Sequence, residues 1–306
     1  MRALAAVLMM AASPVAAFDT MTRTMCQDSW AVFADYLGLI EADMVGQTQS
    51  ITATPQGWCR IKGQSAGFED AQFATFDWRS DDNARWTEQE IPPLGLQIRI
   101  TGLDLSDVAG STPDTRRDLT FDATLRQEPA AGQIILERAV LANDMGDELA
   151  VSGVIERVFL SSTSMMQVSI GSAAFKAGLV TMTLEGRQDN PFGFAIDAEL
   201  RGHPQARQQA AFDLISRLPE GVIDDATRAE LMAYAGDLPS PAGTLEISAA
   251  SERGLGLMQL GASVALSFAA IMEDASVEDA ERHQLEILLD GVTISADWTP
   301  AAPVAD

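Results

Sequence analysis

From Leu96 to Leu200 the apolar side chains of this chain return at every second residue, in runs separated by short turn-rich pieces. A period of two puts apolar groups on one side of an extended strand and polar groups on the other. Leu96, Ile98 and Ile100 alternate with Gln97, Arg99 and Thr101, and Leu119, Phe121, Ala123 and Leu125 alternate with Thr120, Asp122, Thr124 and Arg126. Leu149, Val151, Gly153 and Ile155 follow, then Met166, Val168 and Ile170, then Val180, Met182 and Leu184, and last Phe192, Phe194, Ile196, Ala198 and Leu200. The links are Glu128–Gly132, Asn143–Asp147, Ser161–Ser164 and Gly186–Pro191. A parallel return needs a crossover of about a dozen residues or more, so such links join antiparallel neighbours. The uncharged run Val158–Phe175 reads as two strands with a turn. The outward residues are Thr, Ser, Asp, Glu and Arg, so one face is wet, and the other is either covered or left as an apolar trough.

Helical periods interrupt this pattern. Trp30, Phe33, Leu37 and Ile40 recur at spacings of three and four, predicting an amphipathic helix from Asp28 to Asp43. His203-Pro204 ends the alternation; Ala211, Leu214, Ile215 and Leu218 form a helical stripe stopped by Pro219 and Gly221, and Asp224–Asp237 reads as a second helix. Strands resume after Pro239-Ser240-Pro241 with Leu245 and Ile247 against Glu246 and Ser248. Near the end, the parity switch at Asp290-Gly291 predicts a two-residue hairpin pairing Leu289 with Val292, Ile287 with Ile294 and Leu285 with Ala296. The expected fold is mainly β with α (α+β): a long antiparallel curved meander covered by an N-terminal helix and an inserted helical hairpin. Its parts are an export leader (1–17), the N-terminal helix (18–48), the meander (49–202), the hairpin insert (203–240), a C-terminal β segment completing the sheet (241–299) and a flexible tail (300–306).

The leader is read from Met1-Arg2, the apolar run Ala3–Ala12 and the small residues Val15-Ala16-Ala17, which predict cleavage before Phe18 and a periplasmic location. The 306 residues carry 20 Lys and Arg against 44 Asp and Glu, a net charge of minus 24. Such a surface repels phosphate backbones, so nucleic acid is not an expected partner. In an oxidising compartment the two cysteines, Cys26 and Cys59, are most simply one disulfide tying the N-terminal helix to the first strand; two free buried thiols are the alternative. With two histidines in the chain, a zinc site of Cys and His is not expected.

Motifs for chemistry are missing. There is no GxSxG, no HExxH, no GxxxxGK[ST] and no EF-hand loop, and the glycine string opening at Gly254-Leu255-Gly256 fails at Gln259. Asn143, Asp144, Asp147 and Glu148 offer oxygens to a calcium ion, and a hairpin turn accounts for the same residues. His203 and His283 read as a helix-entrance residue and a packed ring. The stretch from Gly254 to Met272 has no charge over 19 residues, but its three glycines and alternating apolar residues favour buried core or groove lining over membrane insertion. No catalytic residue, metal or cofactor is assigned.

The phrases Gly95-Leu96-Gln97-Ile98-Arg99-Ile100-Thr101-Gly102-Leu103 and Glu148-Leu149-Ala150-Val151-Ser152-Gly153-Val154-Ile155 resemble the AsmA-like envelope proteins of proteobacteria and related alphaproteobacterial periplasmic domains. The likeness spans roughly 49–200 and 244–298. It implies an elongated apolar groove for lipid acyl chains. The family is usually tethered by an uncleaved helix, whereas this chain is short and its leader looks cleavable. Two readings result. One is a periplasmic module binding a lipid or other apolar ligand in a β-groove lined by Phe121, Leu125, Val151, Ile155, Phe192, Phe194 and Ile196. The other is an envelope structural or protein-interaction protein with a closed core and an acidic surface.

Overall fold

The computed structural model describes residues 18–36, 51–65, 72–104, 118–187, 204–256 and 285–302. The alternating runs at 96–101, 119–126, 149–155, 180–184, 245–248 and 292–298 fall in strands, and β1, β2, β3 and β6 join them: β1 (Thr52–Ala53), β2 (Cys59–Ser65), β3 (Gln72–Asp81), β4 (Gly95–Leu103), β5 (Leu119–Glu128), β6 (Gln133–Ala142), β7 (Glu148–Glu156), β8 (Ala174–Glu185), β9 (Ala242–Gly256) and β10 (Val292–Pro300). All ten lie in one sheet in chain order, each pairing antiparallel with the next, and the sheet is not closed. The meander expected from the short links is therefore the architecture. The link between β6 and β7 shows how local chemistry makes the turn. Asn143 Oδ1 accepts from the backbone N–H groups of Met145 (3.0 Å) and Asp147 (2.9 Å), and Gly146 takes the left-handed conformation at φ +96°.

Helix α1 (Arg23–Tyr36) starts earlier than its apolar stripe suggested, because Thr22 Oγ1 accepts from the Met25 N–H at 3.3 Å and caps the first turn. Leu37 and Ile40 lie outside the described residues. A short helix α2 (Asn83–Gln89) links β3 to β4. The hairpin insert is present as α4 (Pro204–Arg217) and α5 (Asp225–Gly236), the latter capped by Asp224, whose Oδ1 accepts from the Thr227 N–H at 2.7 Å.

Two expectations are corrected. Met166, Val168 and Ile170 are not a strand: they belong to helix α3 (Thr163–Ser172), so Val158–Phe175 is a helix followed by the start of β8. Ser162 Oγ caps α3 by accepting from the Met165 N–H, and Ser169 Oγ accepts from the Phe159 N–H and donates to the Phe159 carbonyl. In a serine-rich run of this kind, side chains satisfying backbone groups outweigh a weak period-two pattern. The hairpin at Asp290-Gly291 also fails. Residues 285–288 are helical, Leu289 N–H bonds to the Leu285 carbonyl, and Val292, Ile294 and Ala296 pair with Ser251, Ala249 and Ile247 of β9. Leu285, Ile287 and Leu289 satisfy a strand only in parity, and a single helical turn accommodates them equally.

The helices cover the ends of the sheet. At the β1–β3 end, Cys26, Trp30, Ile51, Cys59, Ile61, Phe73, Trp78 and Trp86 form a buried cluster, and Cys26 and Cys59 are joined by a disulfide, as expected. Trp78 Nε1 donates to Ser29 Oγ at 3.0 Å, so the indole N–H is not left unsatisfied in the core. At the other end Ile215, Leu231 and Ala235 of the helical hairpin pack on Ile247 and Ala296. The outward edge of β10 is tied to the same hairpin: Ile294 N–H bonds to the Val222 carbonyl (2.8 Å) and Trp298 N–H to Glu230 Oε2 (3.2 Å).

Candidate functional site

Residues directly opposite one another in neighbouring strands point to the same face. Following the register across the sheet gives one unbroken apolar row from Ile61 on β2 through Phe76, Ile100, Phe121, Leu141, Leu149, Met182 and Leu245 to Trp298 on β10. A second row runs from Cys59 through Trp78, Ile98, Ala123, Ala139, Val151, Val180 and Ile247 to Ala296. Between Leu136 and Ala139 on β6 the register shifts at a bulge, and a third row continues through Leu125, Leu136, Gly153 and Gly178. At Gly178 the Phe175 ring lies close to the backbone: a Cβ there would meet the ring at 3.0 Å and the Ser152 carbonyl at 3.1 Å, so a larger residue would require the ring to shift.

Burial along these rows is uneven. Trp78 is 2% exposed beneath α1, and Trp298 is 6% exposed beneath α5. Between them, Phe121, Leu141, Leu149, Val151, Val180 and Met182 are only half-buried, and Ile155 is 41% exposed. The contacts of α1 and α5 with strands fall at the two ends, α1 on β1 and β2 and α5 on β10. Among the described residues, no helix packs extensively on the centre of the apolar face.

Of the residues expected to line a trough, Phe121, Leu125, Val151 and Ile155 stand on this one face, on β5 and β7. Phe192, Phe194 and Ile196 lie outside the described residues, as do His203, His283 and most of Gly254–Met272. The sequence reading did not assign Leu141, Leu149, Val180 or Met182 to the site, although the register places them between and beside the assigned residues. Leu149, Val180 and Met182 stood in alternating runs, whereas Leu141 lies among consecutive apolar residues of β6 beside its bulge; which strands lie side by side and in what register was not visible.

The opposite face is polar. Its charges pair across strands: Arg60 with Asp77 (2.6 and 2.5 Å), Arg99 with Asp122 (2.8 Å), Arg126 with Glu137 (3.1 Å) and Arg138 with Glu148 (3.1 Å). The hydrogen bonds from Arg60 to the buried Asp77 raise the Arg60 pKa above its ordinary value. Asp147 is also buried, accepting from Asn143 Nδ2 (2.9 Å) and from the Glu185 N–H (2.9 Å), so the Asn143–Asp147 cluster is engaged in holding its own turn against β8. Among the described residues no helix is long and apolar enough to cross a membrane. Comparison with family models, with curated proteins and with solved structures finds no match for this chain.

Proposed function

We propose that this chain is an exported, periplasmic binding protein that carries an apolar ligand, of the class of a lipid acyl chain, on the centre of its sheet. The observation that carries this reading is the pair of apolar rows that run unbroken through β5–β8, where among the described residues no helix covers them. Contiguous apolar surface of this kind is uncommon on a free protein and marks a ligand or partner site. Flexible acyl chains suit it because they need shape and apolar area and no catalytic group. The disulfide between Cys26 and Cys59 fits an oxidising compartment, and the likeness to AsmA-like proteins suggests the same ligand class.

The test is uptake of a fluorescent fatty acid by delipidated protein. Saturable uptake by the native chain is expected, with loss in Val151→Asp and in Leu149→Asp at unchanged circular dichroism. A delipidated protein that takes up no probe, or folded variants that take it up as well as the native chain, would refute the reading.

A further inference from the structure

The polar face carries a feature that the acyl-chain reading does not use. Arg79 and Arg99 are both set against one indole: their guanidinium carbons lie 4.5 and 5.0 Å from the centre of the Trp58 ring, and Arg79 also lies 4.9 Å from the Phe18 ring. Arg79 Nε donates to Gln97 Oε1 (2.6 Å), and Gln97 Nε2 donates in turn to Thr124 Oγ1 (3.2 Å), so the side chain is oriented by a neutral relay. Among the described residues no carboxylate pairs with Arg79. Trp58, Arg79, Gln97 and Thr124 border a cavity of about 510 Å³ whose other cations, Arg99 and Arg138, are paired with Asp122 and Glu148, so among its described lining residues Arg79 is the positive charge left over. In a chain of net charge minus 24 that is the reverse of the general surface. The cavity also has an apolar part: Val140, 8% exposed, and Ala142, both on the polar side of β6.

We propose that Arg79 binds the carboxylate of a small organic anion in this cavity, with Arg99, whose Nε is bonded to Asp122, adding its positive charge beside it. Guanidinium groups match a carboxylate in shape as well as charge. Stacking on Trp58 and Phe18 holds the two cations in place before a ligand arrives, which lowers the ordering cost of binding. The volume is that of a small-molecule site rather than of a bare inorganic ion. Arg79 is held below its ordinary pKa by burial and by the neighbouring Arg99, the condition that an incoming anion relieves. This site and the acyl-chain site occupy opposite faces of the sheet, so the two stand or fall separately.

Trp58 provides the readout, since Trp30, Trp78, Trp86 and Trp298 are all buried and Trp58 is not. In native protein at fixed ionic strength, benzoate should bind saturably by calorimetry and should protect the tryptophan emission from iodide, an anionic quencher that the arginine pair draws in. Arg79→Gln should weaken benzoate binding about tenfold or more, as loss of a charge-assisted contact does. Arg99→Gln should weaken it as well, by removing the neighbouring positive charge, while Arg253→Gln, an exposed arginine elsewhere on the sheet, and Val151→Asp should leave it unchanged. Arg99 is half-exposed, so its variant tests the site even if the Arg79 variant loosens the packing on Phe18. No saturable binding of benzoate, binding unaffected in folded Arg99→Gln, or inorganic phosphate binding as tightly as benzoate would each overturn the proposal.

Discussion

Trp78 and Val151 stand in one row on one face of one sheet, four strands apart, and have different surroundings. Around Trp78 there is a second layer: α1 is bound to β2 through Cys26–Cys59, Trp30 lies 5.4 Å from Trp78 centre to centre, and Ser29 takes the indole N–H. Around Val151 there are other strand residues and, among the described elements, no second layer. The alternation that makes a strand is the same in both places. Strand pattern therefore decides which face is apolar, and the elements between strands decide where that face becomes core and where, among the described residues, it stays half-buried.

The comparison breaks most visibly if the two positions prove equally costly to truncate. Trp78→Ala should lower stability by about 3–5 kcal/mol, the cost of emptying a filled core, read as a shift of the denaturation midpoint at unchanged slope. Val151→Ala, on the open part of the same row, should cost about 1 kcal/mol or less and show its effect in ligand uptake instead. Between these extremes, replacing Cys26 and Cys59 together by serine should cost about 2–4 kcal/mol, since the bond closes a separation of 33 residues in the unfolded chain. Reducing agent should reproduce that loss in the native protein and leave the double variant unaffected.

The smallest effect tests the rim of the covered end. Burial, with the charges of Asp19 and Asp82 adding to it, raises the Asp81 pKa above the ordinary carboxyl value. The folded chain thus holds this proton more firmly than the unfolded one. Stability from this group is fullest below the ordinary carboxyl pKa and declines as pH rises through the interval up to the raised value. Asp81→Asn should accordingly melt slightly higher than the native protein at neutral pH, with the gain gone in acid. A gain that persists at low pH would assign the effect to packing rather than to charge.

Much of this fold is written locally. Phe121-Asp122-Ala123-Thr124-Leu125 is a strand with one wet face by its alternation alone, and Pro219-Glu220-Gly221 separates two helices by its composition. What misled were short apolar segments whose spacing suits either period. Met166, Val168 and Ile170 alternate, yet capping by Ser162 and the bonds of Ser169 favour a helix there. Leu285, Ile287 and Leu289 alternate too and enter a helical turn, although Gly291, at φ +73°, keeps the backbone freedom that the parity switch pointed to. The candidate site was half legible. Phe121, Leu125, Val151 and Ile155 were identified by parity, while Leu141 and Val180 required the register, which depends on strand partners far away in sequence. The Trp58, Arg79 and Arg99 cluster was not foreseen, because its members come from separate strands and connections and share no spacing.

The bonds from Ile294 and Trp298 to Val222 and Glu230 bear on how many copies of this chain can join. A flat end strand offers its free N–H and C=O groups to the strand of any neighbouring molecule, and a meander with a long last strand invites polymerisation in just this way. Here the helical hairpin takes two of the end strand's N–H groups, those of Ile294 and Trp298, from within the same molecule. At these two positions it works as a stopper, withholding from a neighbouring strand donors that the strand would need.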